Sequence, residues 1–453
     1  MDDLKNKIVK KLKSKGFEDH RYPVTRRDLI KLGLLAGGGA IVQTTFLQQA
    51  FAQTIGTPTI PFLVFDLSGG ASMPGNFLAG KEGGPEDLCD SYRFHGWNPR
   101  ANDSLDRTFG LPMAKKESRM LAGMRENLPA AIKNSETQNM VKMGSFCHFT
   151  LNDTPTNRIS ALTMASRVGL RGSYVKNGIS LMGTLSGGNS DVFLADSRFR
   201  PKTVTSVADV MSMTSFGEKY ESLNAETRRN IFKLLKDSAS DLPVLRDLYQ
   251  EMAGGGLSEP KLDPRRSVVN SVYGLRPESE GVDALHAAIV YNVLQGHCGP
   301  GVLTFSGCDY HDNTQATGDT KDFEIGRAIG RAIHSAYLLK KPLFFQIITD
   351  GGVTAPGSDN YERRWVADQN LHSMSVIGYF DPNRPVETRR SQVGHYNAGA
   401  QVELETFIGN KPDVMVNGTM ANYLALNGLL GDFDKLTGTR ANARDIEESL
   451  IFK

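Results

Sequence analysis

Acids and imidazoles recur where short apolar runs end. Asp66 closes the run 60–66, and an Asp-x-His block, Asp309 with His311, lies just past the run 301–306. Asp350 follows the run 343–349, His372 precedes the run 374–380, and His395 falls in the next loop. Carboxylates and imidazoles are the side chains that hold hard and borderline divalent metals, and a bound metal polarises substrate oxygens. None of these residues has the close spacing of a self-sufficient metal motif, so only the fold can bring them together. Taken singly, each also suits a cap or a turn. Thr150, Thr154 and Thr156 follow another apolar run, 140–146, and are candidates for a nucleophile, since a hydroxyl beside a metal gives up its proton more readily. The same threonines suit the cap of a helix over 153–168.

The elements that must position these groups alternate. The runs 60–66, 140–146, 301–306, 343–349 and 374–380 read as buried strands, several bounded by glycine or acid. Residues 116–132, 223–252, 283–294 and 322–339 read as helices; in the last, Ile325, Ile329 and Ile333 share one face. The final fifty residues are expected to add one strand and two helices. Strand–loop–helix alternation predicts an α/β fold with a mostly parallel central sheet and helices on both faces. In such sheets functional groups gather beyond the carboxyl ends of the strands. That is where Asp66, Thr150, Asp309 and Asp350 fall.

The N-terminus carries a different signal. Residues 1–52 hold ten of the basic residues and five of the acidic ones, leaving 42 basic and 45 acidic in the remainder. The small positive net charge of +2 therefore belongs to this segment and gives no nucleic-acid footprint. Arg26-Arg27 precedes a moderately apolar run that closes on Ala50-Phe51-Ala52, the order of a secretory leader with a small-residue cleavage site. The paired arginines resemble a twin-arginine signal, with Leu29 where a phenylalanine is more usual. The expected organisation is a leader over 1–52 and one large domain over 53–453, with a helical insertion at about 206–300. The expected destination is the periplasm or the cell exterior, with the twin-arginine export machinery as a partner. No stretch of the mature chain reads as a membrane span, because the apolar runs are too short.

Four cysteines, Cys89, Cys147, Cys298 and Cys308, follow the leader, and oxidising conditions permit disulfides. Cys298 with Cys308 is the favoured pair, and four buried thiols are the alternative. The chain contains no C-x-x-C, no G-x-S-x-G elbow and no Gly-Lys-Ser/Thr of a P-loop, which argues against a zinc ribbon, a serine-hydrolase elbow and a nucleotide cradle.

The layout is similar to a large bacterial family of twin-arginine-exported proteins of unknown function, whose fold resembles the alkaline phosphatase and sulfatase superfamily. The leader, the first strand with its glycine turn over 62–76, and the block Gly307-Cys308-Asp309-Tyr310-His311 carry the likeness. The resemblance implies a sandwich of that superfamily's type; in a hydrolase reading, Asp66, Asp309, His311, Asp350 and His372 are the candidate ligands of a divalent metal. Its chemistry would be hydrolysis of phosphate or sulfate esters. The chain departs from the family at Ser72, where an acid is usual. It departs again at Thr349-Asp350-Gly351-Gly352-Val353, where the family has Ser-Glu-Phe-Gly-Arg. Two readings stay open: a periplasmic metal-dependent hydrolase, and a non-catalytic envelope or binding protein on a degenerate hydrolase scaffold.

Overall fold

The apolar run beginning at Ile60 becomes the central strand of a mixed sheet in the computed structural model of the chain. The structure describes residues 60–82, 84–95, 104–133, 139–149, 175–177, 202–214, 229, 263–296, 299–308, 310–311, 315–349, 351–355, 365, 367–370 and 372–453. Apart from Arg229, these belong to one compact unit formed by Gln48–Ser215 and Ser258–Lys453. The expected leader, with Arg26, Arg27, Ala50 and Ala52, lies outside the described residues, as do the helices expected over 153–168 and, Arg229 apart, 223–252.

The strands in chain order are β1 (Phe62–Leu67), β2 (Leu105–Asp106), β3 (Met113–Ala114), β4 (Val141–Phe149), β5 (Val175–Asn177), β6 (Lys202–Val204), β7 (Gly301–Phe305), β8 (Leu343–Thr349), β9 (Gly352–Thr354), β10 (Ala367–Asn370), β11 (His372–Phe380) and β12 (Gln392–Val393). Eight of them form one sheet, in the order β12-β4-β11-β8-β1-β7-β5-β6; β2 pairs with β3 and β9 with β10. β1 runs parallel to both neighbours, β7 and β8, while β11 runs antiparallel to β4 and β8. The sheet is thus mostly parallel, as expected, with one reversed strand that the alternation of elements did not announce.

Helices cover both faces. We number the principal ones α1 (Met73–Asn76), α2 (Arg119–Asn127), α3 (Val282–Leu294), α4 (Gln315–Leu339) and α5 (Pro412–Leu426). Leu63, Phe65 and Leu67 point into a core built with Met120 and Met124 of α2, Ile289 of α3, and Ile325, Ile329 and Ile333 of α4. Phe62 and Val64, pointing the other way, join Phe344 and Ile377 in a second core against Met420, Tyr423 and Leu424 of α5. A strand side chain alternates faces with a period of two, so β1 feeds both cores and reads as an unbroken apolar run. Phe62 stacks on Tyr423 at 5.3 Å, and the Tyr423 hydroxyl donates to the Ile60 carbonyl at 2.7 Å, which satisfies its polar end inside the core.

α2 and α4 approach each other backbone to backbone. A Cβ at Gly326 would stand 2.0 Å from the Met120 carbonyl oxygen, and one at Gly123 would stand 2.2 Å from that of Phe323. α4 also begins earlier than its isoleucine face suggested, at Gln315 instead of 322. The expected C-terminal strand is not formed. Residues 404–453 hold three α-helices, Pro412–Leu426, Phe433–Thr437 and Ala443–Glu448, and Phe452 makes only an isolated bridge to Thr388. The apolar tail Leu450–Ile451–Phe452 is buried by packing on the α5 face. No described helix is long and apolar enough to cross a membrane.

Candidate functional site at the carboxyl rim of the sheet

Asp66 is the last but one residue of β1 and is fully buried. It pairs in register with Thr304 of β7 and Ile348 of β8, and its Oδ2 accepts from the Thr304 hydroxyl at 3.3 Å. Beyond it the chain turns through Gly69 and Gly70 with φ of 116° and 88°, a region that side-chain-bearing residues rarely enter. This is why a glycine pair stands where the strand must stop abruptly at the rim.

The loops leaving β1, β7 and β8 are tied together there. The Ser68 amide donates to the Phe305 carbonyl at 3.0 Å, and the Cys308 amide donates to the Ser68 carbonyl at 3.1 Å. The Ala71 amide donates to the Thr349 hydroxyl at 2.9 Å. The segment carrying Asp309 and His311 therefore starts on one side of Asp66. Asp350, which follows Thr349 in the chain, starts on the other. His311 is half-buried between β7 and α4. Asp309, Asp350, Thr150, Thr154 and Thr156 lie outside the described residues.

His372 does not join Asp66. It is the first residue of β11 and pairs with Phe149 at the end of β4. Met374, two residues on, lies in the core shared with Leu63, Phe65 and Leu67, so His372 shares the face that Asp66 turns away from. β8 also intervenes, which sets the two residues two strand spacings apart, about 10 Å. His372 packs edge-on against Phe149 at 5.2 Å, and partial burial lowers its pKa. The two side chains therefore leave opposite faces of the sheet, from strands that are not neighbours. Among the described residues no three His, Cys, Asp or Glu side chains converge as a metal site.

Other polar groups lie near the rim. His148 Nε2 lies 2.9 Å from the Ser375 hydroxyl across β4 and β11, and burial lowers its pKa to about 4. His148 Nδ1 lies 3.4 Å from the Phe149 carbonyl, and the ring's tautomer sets which of Nε2 and the serine hydroxyl donates. His95 Nε2 donates to the Ala400 carbonyl at 2.6 Å, and burial holds it too at about 4, with His372 adding to the effect. Both are buried inside the rim. A third group is larger. The Tyr310 hydroxyl donates to Asp322 Oδ1 at 2.8 Å, and Asn76 Nδ2 donates to Asp322 Oδ2 at 2.8 Å. One acid of three in the first half of α4, beside Asp319 and Glu324, gives no sequence signal of such a role.

Cys89, Cys147 and Cys308 are buried thiols. Cys308 Sγ donates to the Phe305 carbonyl at 3.3 Å, and Cys298, its expected partner, lies outside the described residues. Comparison with family models, curated proteins and solved structures finds no match for the chain.

Proposed function

We propose that this chain is an exported hydrolase of phosphate or sulfate esters, assisted by a divalent metal held at the carboxyl rim beside Asp66. Strand order carries the reading: β1, bearing the buried Asp66, lies between β7 and β8, and the segments with Asp309, His311 and Asp350 follow those two strands. The donor set is the one hard and borderline divalent ions prefer, and the Thr304 hydroxyl gives the Asp66 carboxylate the kind of supporting hydrogen bond that ligating carboxylates have. In this reading Asp66, Asp309, His311 and Asp350 would hold the ion and His372 would not. A bound divalent metal supplies Lewis acidity and lowers the pKa of a neighbouring hydroxyl. Thr150, Thr154 and Thr156 stay candidates for that hydroxyl. The finer architecture proposed is the alkaline phosphatase and sulfatase type of sandwich. The leader over 1–52 supports export through the twin-arginine machinery to the periplasm or cell exterior.

A second reading, a non-catalytic binding or envelope-assembly protein on the same scaffold, is favoured by His372 facing away from Asp66 and by His148 being engaged with Ser375. The two readings separate in an ester screen. Protein from the exported fraction is offered aryl phosphates and aryl sulfates with Mg²⁺, Mn²⁺ or Zn²⁺. The hydrolase reading expects turnover of at least one ester, reduced about 100-fold or more by Asp66→Asn. Folded protein that turns over none of them with any metal supports the scaffold reading instead.

A further inference from the structure

β4 and β11 carry one imidazole and two hydroxyls toward the rim, on the face of the sheet that Asp66 shares. Phe146 of β4 and Ile377 of β11 lie in the core beneath α5. Side chains alternate along a strand, so His148, Ser373 and Ser375 leave the sheet on that same face. The two strands pair antiparallel, with His148 opposite Ser373 and Phe146 opposite Ser375. Ser375 is therefore the diagonal neighbour of His148, within reach of a long side chain, and its hydroxyl lies 2.9 Å from Nε2.

A serine against a histidine inside a core is often no more than a satisfied polar contact. Two features set this one apart. The first is the other ring nitrogen, which faces the Phe149 carbonyl at 3.4 Å. In the tautomer with its proton on Nδ1, that carbonyl is the acceptor, and Nε2 is left to take the serine's proton. Burial lowers the pKa of His148 to about 4, so the ring is neutral near pH 7 and able to act as a base. The second feature is Ser373. It is fully buried, and its hydroxyl has no hydrogen-bond partner among the described residues. A buried hydroxyl left unpaired is uncommon and costly in a folded protein. Beside a nucleophile and a base, it is a donor held ready for an oxygen that gains charge.

We propose that Ser375 and His148 are a nucleophile and base acting on short-chain carboxylic esters, with the Ser373 hydroxyl as donor to the developing oxyanion. In the first step Ser375 Oγ bonds to the ester's carbonyl carbon and its proton passes to His148 Nε2. The bond from that carbon to the alcohol oxygen breaks, and the alcohol leaves with the proton. In the second step a water gives a proton to Nε2 and its oxygen bonds to the acyl carbon. Ser375 Oγ then leaves and takes the proton back. Ser375 and His148 are only 2% and 3% exposed, which restricts the acyl group to a small one. The serine stands inside a strand and not on a G-x-S-x-G turn, so no motif announces it. The reaction needs no metal and does not rest on the reading above.

The test is labelling of the folded full-length protein by a small fluorophosphonate with EDTA present, read by intact mass and peptide mapping. The serine oxygen bonds to phosphorus and fluoride leaves. Circular dichroism checks that each variant is folded. The expected result is a single adduct on the peptide that holds Ser375, absent from Ser375→Ala and formed about 100-fold more slowly by His148→Gln. Ser373→Ala, the mildest of the changes, should also slow it about 100-fold. Hydrolysis of an aryl acetate in EDTA should fall in the same variants. A folded wild type that takes no label, takes it elsewhere, or takes it no faster than His148→Gln overturns the pair. Ser373→Ala labelled at the wild-type rate overturns the oxyanion role. Because EDTA removes any divalent metal, this proposal and the metal-site reading fail separately.

Discussion

Asp66 and Thr304 stand side by side on neighbouring parallel strands, with the threonine hydroxyl donating to the carboxylate at 3.3 Å. The relationship places a buried acid at the carboxyl end of the strand that lies between β7 and β8. A buried carboxylate is costly unless hydrogen bonds or a positive charge offset its lost hydration. Stability alone would sooner place an apolar residue there, as at Phe62 and Val64 on the same face. In the proposed reading a divalent metal at the rim would supply such a positive charge.

The close approach of α2 to α4 sets a stability prediction. Gly326→Ala puts a methyl 2.0 Å from a backbone oxygen, which no side-chain rotation relieves. The higher helix propensity of alanine, about 1 kcal/mol, is smaller than the expected overpacking cost of roughly 1–3 kcal/mol or more. Urea unfolding should show a net loss. Gly431→Ala, where an added Cβ meets nothing within 4 Å, should be close to neutral. Equal stability of the two variants would contradict the packing described.

Buried histidines set a pH prediction. Burial lowers His95, His148 and His286 from an ordinary 6.5 to about 4. The unfolded chain takes up these protons as pH falls below 6.5, while the folded chain does so only near 4. Stability from these three groups is therefore complete above pH 6.5 and is lost progressively from there to about pH 4. A tenfold difference in proton affinity between the folded and unfolded chain is worth about 1.4 kcal/mol, so the combined loss is on the order of several kcal/mol. Melting midpoints at pH 7.5, 5.5 and 4.5 should fall in that order. His286→Leu, which keeps an apolar contact for Phe305, should flatten the slope; an unchanged slope would remove His286 from the account.

Much of this architecture could be read from residue patterns, and its limits are physical. β8 formed over the expected 343–349, and β1, β4, β7 and β11 formed within a few residues of their apolar runs, because buried strands in a parallel sheet are continuously hydrophobic. Strand order was not legible. Nothing local in the run around Met374 tells that β11 inserts antiparallel between β4 and β8, and that insertion separates His372 from Asp66. β5 and β6 are three residues each, in a glycine-rich stretch with too little pattern to read. The Tyr310–Asp322–Asn76 network spans 246 positions between Asn76 and Asp322, so spacing could not reveal it.

Export gives a prediction separate from catalysis. Replacing Arg26 and Arg27 together by lysine should leave full-length protein in the cytoplasm, because the paired arginines are the recognition element of twin-arginine leaders. Fractionation and immunoblotting read the outcome. Undiminished appearance outside the cytoplasm would exclude that route.

Metal content tests the central claim most directly. Protein recovered from the exported fraction, dialysed free of loose ions, is assayed by inductively coupled plasma mass spectrometry as wild type, Asp66→Asn and His372→Ala. The strand order predicts a stoichiometric divalent metal in the wild type, its loss in Asp66→Asn, and its full retention in His372→Ala. Metal retained in Asp66→Asn, or a folded wild type carrying none, would contradict a site built around Asp66.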